Sequence, residues 1–596
     1  MSESISNERL SKRNLWGYSM GGIGRDMAYQ LVNTYLLTFI TFTKGLSNTE
    51  FAMVGVIMVI CRIFDGCNDP FMGSVIEITR TKIGKFKPWI LAGVFTNVAV
   101  IIALFCVPLR GTSYLIFFAF GYLLWGMTYT MNDISYWGML PSLTSNPGDR
   151  NNLTTLANIG AGIGAGLSVL AIPSLTQGNL AIASNASKSY AIVSIIVCIV
   201  FFVCQIMTVF VVKEKPLPKV RVDDGEKRSL KDMFKVIFKN DQLKPVMASM
   251  LLYNIGSCIT MALASYWIYY RFAYQGLLVT LFTVISGVST LVIVFFPMMC
   301  KKHSRRWISK LSMIMIIVGY LLMFVISLTT GINPDADKVG FKIGEVLIPV
   351  TFIFTGLTGA CAFFGQTLFY QVLTISVANT VEYNEYTTGM RDEGVIFACR
   401  PFTAKLGSAA VGITTLVVLA LGLNPTNKAI SNADYEAGQL AVQVEQLVKD
   451  ETPNFDSLSK EEQTKLIEAK KKSIETENVA KIENIIHTNE DTKVAKWQYQ
   501  TMFAFMTLLP LVILLGSFAI YFKKYNISEE RYDEICAEIA KRKLAAEGNE
   551  EVVLDGADVN ELENDLASSD AETPDEIFEQ EAAADKISEA PDEVEK

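Results

Sequence analysis

Twelve apolar segments, each about 20 residues long or longer, occupy most of the sequence. They lie roughly at 15–43, 48–76, 88–108, 113–140, 153–175, 189–212, 245–272, 276–299, 307–328, 346–378, 394–422 and 497–522. A helix needs about 20 mostly apolar residues to cross a bilayer. Because lipid offers no hydrogen-bond partner to the backbone, such segments are stable there as helices. The sequence therefore predicts an all-α membrane protein with twelve transmembrane helices.

Basic residues cluster in alternate links between these segments. They precede the first segment and follow the second, sixth and eighth, at 9–13, 80–87, 213–244 and 301–306. Since cytoplasmic loops carry the excess of Lys and Arg, both termini are predicted to be cytoplasmic. The link at 213–244 separates two sets of six segments with matching basic loops. This is the outline of a transporter with two six-helix bundles and a binding site between them, near mid-membrane.

The same pattern divides the chain into five regions. We expect an N-terminal six-helix bundle at 1–212, a central cytoplasmic loop at 213–244, and a C-terminal six-helix bundle at 245–422 and 497–522. An extracytoplasmic insertion is expected at 423–496, with one or two exposed helices from about Tyr435 to Lys496. A cytoplasmic tail is expected at 523–596, with a short amphipathic helix at 529–545. The rest of the tail is acidic, so we expect it to be largely disordered and to suit a cytoplasmic regulator as partner.

Few ionisable residues lie inside the apolar segments, where a charge is costly and usually functional. They come from the first, second, fourth and eleventh segments: Arg25, Asp26, Arg62, Asp65, Asp69, Asp133, Arg400 and Lys405. At about 1.5 Å per residue, these four segments place charge roughly 11–17 Å from their cytoplasmic ends. One polar cavity shared by four helices is therefore predicted.

Asp65 and Asp69 are four residues apart, and Arg62 and Asn68 border the same helical face. Two close carboxylates repel each other unless one takes a proton, a cation lies between them, or an Arg or Lys compensates them. A Na⁺ or H⁺ site is therefore predicted here. The alternative is a buried salt-bridge network with Arg62 and Lys405.

Asp133 shares a helical face with Thr130 and Trp137. A carboxylate accepts hydroxyl hydrogens and an indole stacks on the apolar face of a sugar, so this pair suits a sugar site. Trp137 could instead belong to the aromatic belt at the membrane surface. Asp26 begins a polar strip with Tyr29, Gln30 and Asn33, which could equally be a helix-contact face.

Other kinds of site find little support in the sequence. The glycine-rich run at 160–166 lies inside an apolar segment with no strand before it, which favours close helix packing over nucleotide binding. Both histidines lie in polar links, at His303 and His487. The ten cysteines show no paired spacing and are interpreted as small core residues. We expect no enzyme, no cofactor and no nucleic-acid partner.

Five ordered motifs carry a family resemblance. They are Gly24-Arg25-Asp26, the segment from Arg62 to Pro70, the segment from Gly84 to Trp89, the segment from Tyr129 to Trp137, and the segment from Glu382 to Gly394. These motifs resemble those of the glycoside-pentoside-hexuronide:cation symporters, the melibiose permease group of the major facilitator superfamily. The likeness covers most of 14–420 and the last apolar segment.

The resemblance implies twelve helices in two six-helix bundles that work by alternating access. It implies a Na⁺ site at Asp65, Asn68, Asp69, Gly126 and Thr130. It also implies sugar contacts at Arg25, Asp26, Tyr129, Asp133 and Trp137. Lys405 would bridge the two sites, and we count it with Arg62 as a coupling residue.

The chain departs from these permeases at three positions. They have an arginine where Asn158 stands, a glutamine where Arg400 stands and an aspartate where Asn379 stands. Arg400 is therefore expected to contact substrate and to set substrate choice. Its guanidinium could bind a substrate carboxylate at two points. It could also pair with Asp26 or Asp133 and affect a neutral sugar indirectly.

These observations predict a symporter of the cell inner (plasma) membrane that imports a glycoside or oligosaccharide with Na⁺, or with H⁺ or Li⁺. Its partners would be the sugar and membrane lipid. One alternative keeps the fold and carries a lysolipid or another amphiphile. A second alternative is a membrane sensor or receptor in which the charged layer is only structural.

Overall fold

The structure is a computed structural model that describes residues 10–144, 147–213, 239–330, 337–343, 346–390 and 393–551. Most of the predicted central loop and the acidic end of the tail lie outside these residues. The chain divides into two compact units, Met1–Tyr532 and Asp533–Lys596. The first unit carries all the residues predicted to form the site.

Helices make up nearly all the regular structure of the described residues. The first six are α1 (Lys12–Thr43), α2 (Asn48–Ile78), α3 (Lys87–Cys106), α4 (Gly111–Leu143), α5 (Pro147–Thr176) and α6 (Ala186–Val211). Next come α7 (Leu243–Arg271), α8 (Gly276–Ser289), α9 (Phe296–Lys302), α10 (Arg305–Thr330), α11 (Val350–Thr388), α12 (Glu393–Ser408) and α13 (Gly412–Ala420). The remaining helices are α14 (Asn424–Val442), α15 (Val444–Glu451), α16 (Lys460–His487), α17 (Lys496–Lys524) and α18 (Glu529–Glu551).

Local capping explains where several helices begin and end. Ser47 and Glu50 form a reciprocal capping box at the start of α2. Asn185 accepts a hydrogen bond from the backbone of Lys188 at the start of α6. At the end of α11, Gly389 has a φ of 72°, which side chains with a Cβ rarely adopt. Such short-range signals are readable in the sequence, and most predicted spans end within a few residues of the observed helices, but α11 continues to Thr388, ten residues past the predicted end of the tenth span.

Ten helical segments of the described chain are long and apolar enough to cross a membrane, and they correspond to predicted spans three to twelve. Helices α1 and α2 are also long, with 32 and 31 residues, but they carry five of the charged residues predicted for the site. Large apolar side chains face outward, among them Phe120, Phe210 and Val294, which are 67%, 70% and 73% exposed. An apolar exterior of this kind suits lipid rather than water.

Two predicted spans are interrupted and a third begins late. The eighth span changes to a 3₁₀ helix at Thr290–Phe295, and the eleventh does so at Ala409–Val411. The tenth span was expected from residue 346, but a short antiparallel hairpin occupies its start. In this hairpin, β1 (Gly340–Ile343) pairs with β2 (Val346–Pro349), so α11 begins at Val350.

The prediction for the insertion was wrong in two respects. It contains three helices, α14 to α16, and α14 begins at Asn424 rather than near Tyr435. Helix α14 is also not an exposed helix: Ile430, Ala433 and Asp434 are each at most 2% exposed. It is buried because it packs against the helices of the first half, a long-range contact that a local sequence pattern does not show.

Close helix packing explains the glycine-rich run in α5. A Cβ added at Gly160 or Gly164 would collide with the backbone carbonyl oxygens of Ser19 and Ile23 on α1. The two glycines lie one turn apart, so they form a smooth face on which α1 lies directly. Gly162 points elsewhere and has open space around it. The expectation of close helix packing is confirmed, and α1 is held where Arg25 can reach Asp133 of α4.

We expect the substitution Gly164→Ala to destabilise the protein by about 1–3 kcal/mol, because the added methyl group must push α1 away from α5. Thermal unfolding of the detergent-solubilised protein measures this loss. Gly162→Ala is the matched control, since the same change in open space should leave stability unchanged or slightly raised. Equal effects of the two substitutions would contradict the packing account.

Candidate functional site

The predicted intramembrane charges form two clusters in the structure. The first joins α1 to α4, and the second joins α2 to α4 and α12. Helix α4 contributes to both, because Thr130 and Asp133 are three residues apart on one face. The charged residues therefore lie in two clusters joined through α4, rather than in the single shared cavity predicted from the sequence.

Arg25 is the centre of the first cluster. Its guanidinium lies 2.8 Å from Asp133 and 2.6 Å from Asp26, and its side chain is only 3% exposed. The rings of Tyr136 and Trp137 lie against it, with centroids 4.7 and 4.8 Å from the guanidinium carbon. Two carboxylates share one arginine, so the cluster carries a formal negative charge. Both carboxylates remain partly exposed, at 21% and 29%, and can accept hydrogen bonds from a ligand.

Asp65 and Asp69 are the centre of the second cluster. The ammonium group of Lys405 lies 2.5 Å from Asp69 and 3.5 Å from Asp65. The hydroxyl group of Thr130 donates to Asp65 at 2.9 Å and lies 3.2 Å from Asp69. Arg62 lies 3.8 Å from Asp65 and donates a short hydrogen bond to Asn33 of α1. Of the three outcomes expected for this carboxylate pair, the structure shows compensation by basic residues.

The oxygens of the second cluster suit a small monovalent cation. Two carboxylates and the hydroxyl group of Thr130 are hard oxygen donors, and the hydroxyl group lies within hydrogen-bond distance of one oxygen of each carboxylate. A Cβ added at Gly126 would lie 3.7 Å from Asp65, so this glycine borders the same oxygens. Asn68 is half-buried and forms no hydrogen bond with either carboxylate among the described residues. Since Lys405 now lies beside these oxygens, a cation bound there would take over its role as counter-charge.

Aromatic rings on α4 link the two clusters. The ring of Tyr129 lies 5.9 Å from Trp125 and 5.0 Å from Tyr29 of α1. Trp125 in turn stacks with Tyr122 at 5.4 Å and lies under the guanidinium of Arg62 at 5.1 Å. Trp125 and Tyr122 were not among the residues predicted for the site. Their spacing of three and four residues on the face of Tyr129 was the signal that could have revealed them.

Arg400 lies apart from both clusters. Its side chain is exposed on α12, where its Nε donates to the hydroxyl group of Tyr370 on α11 at 3.2 Å. The alternative in which Arg400 pairs with Asp26 or Asp133 is not observed: these carboxylates bind Arg25 instead. No carboxylate lies within ion-pair distance of Arg400 among the residues that the structure describes. The sequence did not indicate Tyr370 as the partner of Arg400, since a tyrosine in a long apolar helix can have many packing roles.

Comparison with known proteins identifies the family. Residues 17–440 match the family described as MFS/sugar transport protein. The chain belongs to this family. Major facilitator sugar transporters are multi-pass inner membrane proteins and are not enzymes, so the predicted class and localisation are confirmed. The resemblance inferred from the five motifs is confirmed as well.

Several bacterial transport proteins are similar to this chain. The raffinose carrier protein of Pediococcus pentosaceus is 26% identical over 71% of this chain and 64% of its own length. The lactose permease of Lactobacillus helveticus is 25% identical over 70% of this chain and 65% of its own length. The isoprimeverose transporter of Lactiplantibacillus pentosus is 27% identical over 70% and 81%. The chain thus spans slightly less than two thirds of the first two relatives.

We expect Lys405→Met to lower the free energy of unfolding by about 3 kcal/mol, because Asp65 and Asp69 lose the ammonium group between them. Adding Asp69→Asn to the same chain should recover much of this loss, since it removes the repulsion. Thermal unfolding of the two single variants and the double variant, as a double-mutant cycle, measures the coupling. Lys523→Met, on the exposed end of α17, is the control. Strictly additive effects would show that Lys405 and Asp69 do not stabilise each other.

Proposed function

We propose that the protein is a secondary active symporter that imports a glycoside or oligosaccharide together with Na⁺, or with H⁺ or Li⁺ in its place. The observation that carries this proposal is the contact of Lys405 with Asp69 and Asp65. The aspartates lie on α2, in the first set of six helices, and Lys405 lies on α12, in the second set. One charge cluster therefore spans the two sets, and its balance can depend on a transported cation.

Cation binding would change the contact between α2 and α12. A cation held by Asp65, Asp69 and Thr130 would supply the positive charge that Lys405 now supplies. The Lys405 ammonium would then no longer be needed at the aspartates, and the ionic contact between the two sets of helices would weaken. A ligand shifts a conformational equilibrium only by such a difference in its interactions with two states. Lys405 and Arg62 are the coupling residues in this account.

The proposed topology has twelve spans, in which α1 and α2 join the ten apolar helical segments. Both termini are cytoplasmic, and the insertion at 423–496 lies on the opposite side. The N-terminal bundle comprises residues 1–212, and the C-terminal bundle comprises 245–422 and 497–522, with the loop at 213–244 between them. The tail at 523–596 would receive a cytoplasmic regulator, and lipid would cover the apolar exterior.

A sugar is the proposed substrate because the first cluster offers the chemistry that recognises hydroxyl groups. Asp26 and Asp133 are partly exposed acceptors held in place by the buried Arg25. Trp137 and Tyr129 add aromatic surface on the same helix. The relatives named for raffinose, lactose and isoprimeverose support a glycoside.

Substitutions in the two clusters should have separate effects. Asp65→Asn and Asp69→Asn should remove the stimulation of uptake by Na⁺ and leave sugar binding measurable. Asp133→Ala should weaken sugar binding about 10- to 150-fold, because a charged hydrogen-bond acceptor is lost. A Na⁺ jump in proteoliposomes, with choline as the ionic control and a panel of glycosides as substrates, measures the stimulation of uptake, and thermal-shift protection by the same glycosides measures sugar binding. Normal Na⁺ stimulation in both asparagine variants would refute the cation site.

The guanidinium of Arg400, which pairs with no carboxylate of the described residues, favours an acidic glycoside within this class. An arginine without a carboxylate partner can bind a substrate carboxylate at two points. Tyr370 holds the Nε side of the group, which leaves the terminal nitrogens available. The first cluster would still bind the sugar hydroxyl groups, so the two ends of a uronic-acid glycoside would have separate partners.

Arg400→Gln should abolish uptake of uronic-acid glycosides and retain uptake of their neutral counterparts. The same panel in proteoliposomes, with acidic and neutral members matched in ring structure, gives the ratio of the two rates. Arg306→Gln is the matched control, because Arg306 is exposed outside the charged layer. An equal loss of both substrate types would make Arg400 a structural residue.

A further inference from the structure

The insertion between α13 and α17 forms hydrogen bonds with the first half of the protein, which comprises α1 to α6. Arg110, in the turn before α4, donates to the carbonyl oxygen of Ser431 at 3.0 Å and to Asn432 at 3.0 Å. Asn424, at the start of α14, donates to the carbonyl oxygen of Leu46 at 3.1 Å. These contacts reach the turns between α1 and α2 and between α3 and α4. That end of the bundle, where α1 ends and α2 begins, is called the distal end below.

Asp434 of α14 binds the start of α6. Its carboxylate accepts hydrogen bonds from the backbone nitrogens of Ala186 at 2.5 Å and Ser187 at 3.1 Å, in the first turn of α6. The side chain of Asn185 donates to the Asp434 carbonyl oxygen at 2.9 Å. An acidic group at a helix N-terminus binds the free backbone donors there and the positive end of the helix dipole. Burial raises the pKa of Asp434 to about 6, and Arg110 and Lys44 oppose that rise.

The insertion also holds the second half, to which it is joined. Tyr270 of α7 donates to Asn427 of α14 at 2.6 Å. Only Leu421, Gly422 and Leu423 separate α13 from α14. Because each residue spans at most about 3.6 Å, this link is too short for α14 to stay on the first half if α13 moves far from it. The insertion must therefore move with the second half.

Underneath the insertion, the two halves touch directly. Ser174 of α5 and Thr280 of α8 share a hydrogen bond of 2.8 Å, and Thr41 of α1 and Tyr266 of α7 share one of 2.7 Å. Gln177 donates to Tyr274 at 3.2 Å in the same region. The distal end is thus closed in this structure, and the insertion lies across the closed joint.

We propose that the insertion, residues 424–495, is a strap that holds the distal end closed and must release the first half each time that end opens. This inference rests on the proposed alternating-access function, in which the two halves separate at one end and then at the other. The hydrogen bonds of Arg110, Asn185 and Asp434 exist only while the distal end is closed. They lower the free energy of that state relative to the distally open state, so the strap sets how often the site faces the distal side.

A disulfide between the strap and the first half tests the proposal. A Cβ added at Gly438 of α14 would lie 3.3 Å from the Cγ of Asn185, which is close to disulfide reach. In a variant whose ten native cysteines are replaced, Gly438→Cys with Asn185→Cys should transport when reduced and lose all uptake when oxidised. A reductant should restore uptake. Unimpaired uptake with the disulfide formed would overturn the strap.

Two further cysteine pairs are controls: one cross-links the two halves directly, and the other introduces a disulfide within one half. Ser174→Cys with Thr280→Cys joins the two halves directly, and its oxidation should also stop uptake. Ser249→Cys with Ser517→Cys joins α7 to α17 within the second half, where the two hydroxyl oxygens are 2.7 Å apart. Its oxidation should leave uptake unchanged. If no reduced variant transports any glycoside, the proposed function fails. The strap proposal is then tested by cysteine labelling, which needs no transport.

Cysteine labelling tests the strap without any transport. Thr41→Cys places a thiol in the closed joint, where a membrane-impermeant maleimide added from the distal side should react slowly. Arg110→Ala or Asp434→Ala should speed this labelling by about fivefold or more, because the strap loses hydrogen bonds to the first half. Lys481→Ala is the matched control, since the 2.5 Å pair of Lys481 with Glu436 lies within the strap. Equal labelling in all these variants would overturn the proposal.

Discussion

The contact between Lys405 and Asp69 is the interaction on which the arrangement of the two halves depends. A charge inside a membrane protein is costly unless an opposite charge and hydrogen bonds surround it. Asp65 and Asp69 repel each other on one helix, so α2 needs a counter-charge, and the ammonium group of α12 provides it. The requirement is electrostatic and not steric. Under the proposed function, a transported cation would meet it in place of the lysine, which would connect ion binding to the position of α12.

The first cluster meets the same requirement within the first half alone. Arg25 is buried and can be stable there only because Asp26 and Asp133 share it. The small residues of α5 make this geometry reachable, since Gly160 and Gly164 let α1 approach as a bare backbone. Two charge clusters with different connections result. The first cluster lies within one bundle and is suited to hold a ligand. The second cluster joins the two bundles, so a change in its charge is suited to change how the bundles contact each other.

The distal end adds hydrogen bonds to this electrostatic framework. The direct contacts at Ser174 and Thr41 are few, and the insertion supplements them through Arg110 and Asp434. A cation at the second cluster and a strap at the distal end would both act on the separation of the two halves. The second cluster would favour one conformation according to its charge, and the strap would add a constant preference for distal closure.

The sequence by itself determined the helices, the placement of the charged layer and the family. Apolar length placed most spans to within a few residues, with α11 the exception at its carboxyl end, and helical spacing placed Arg62, Asp65 and Asp69 on one face, because both properties are local. Only the tertiary structure decided which acid binds which base. Arg25 and Asp133 are 108 residues apart and Asp69 and Lys405 are 336 apart, so their pairing follows from helix packing. The partner of Arg400, the hairpin before α11 and the docking of α14 were likewise out of reach of the sequence. Each of them depends on a surface that exists only after distant segments have packed together.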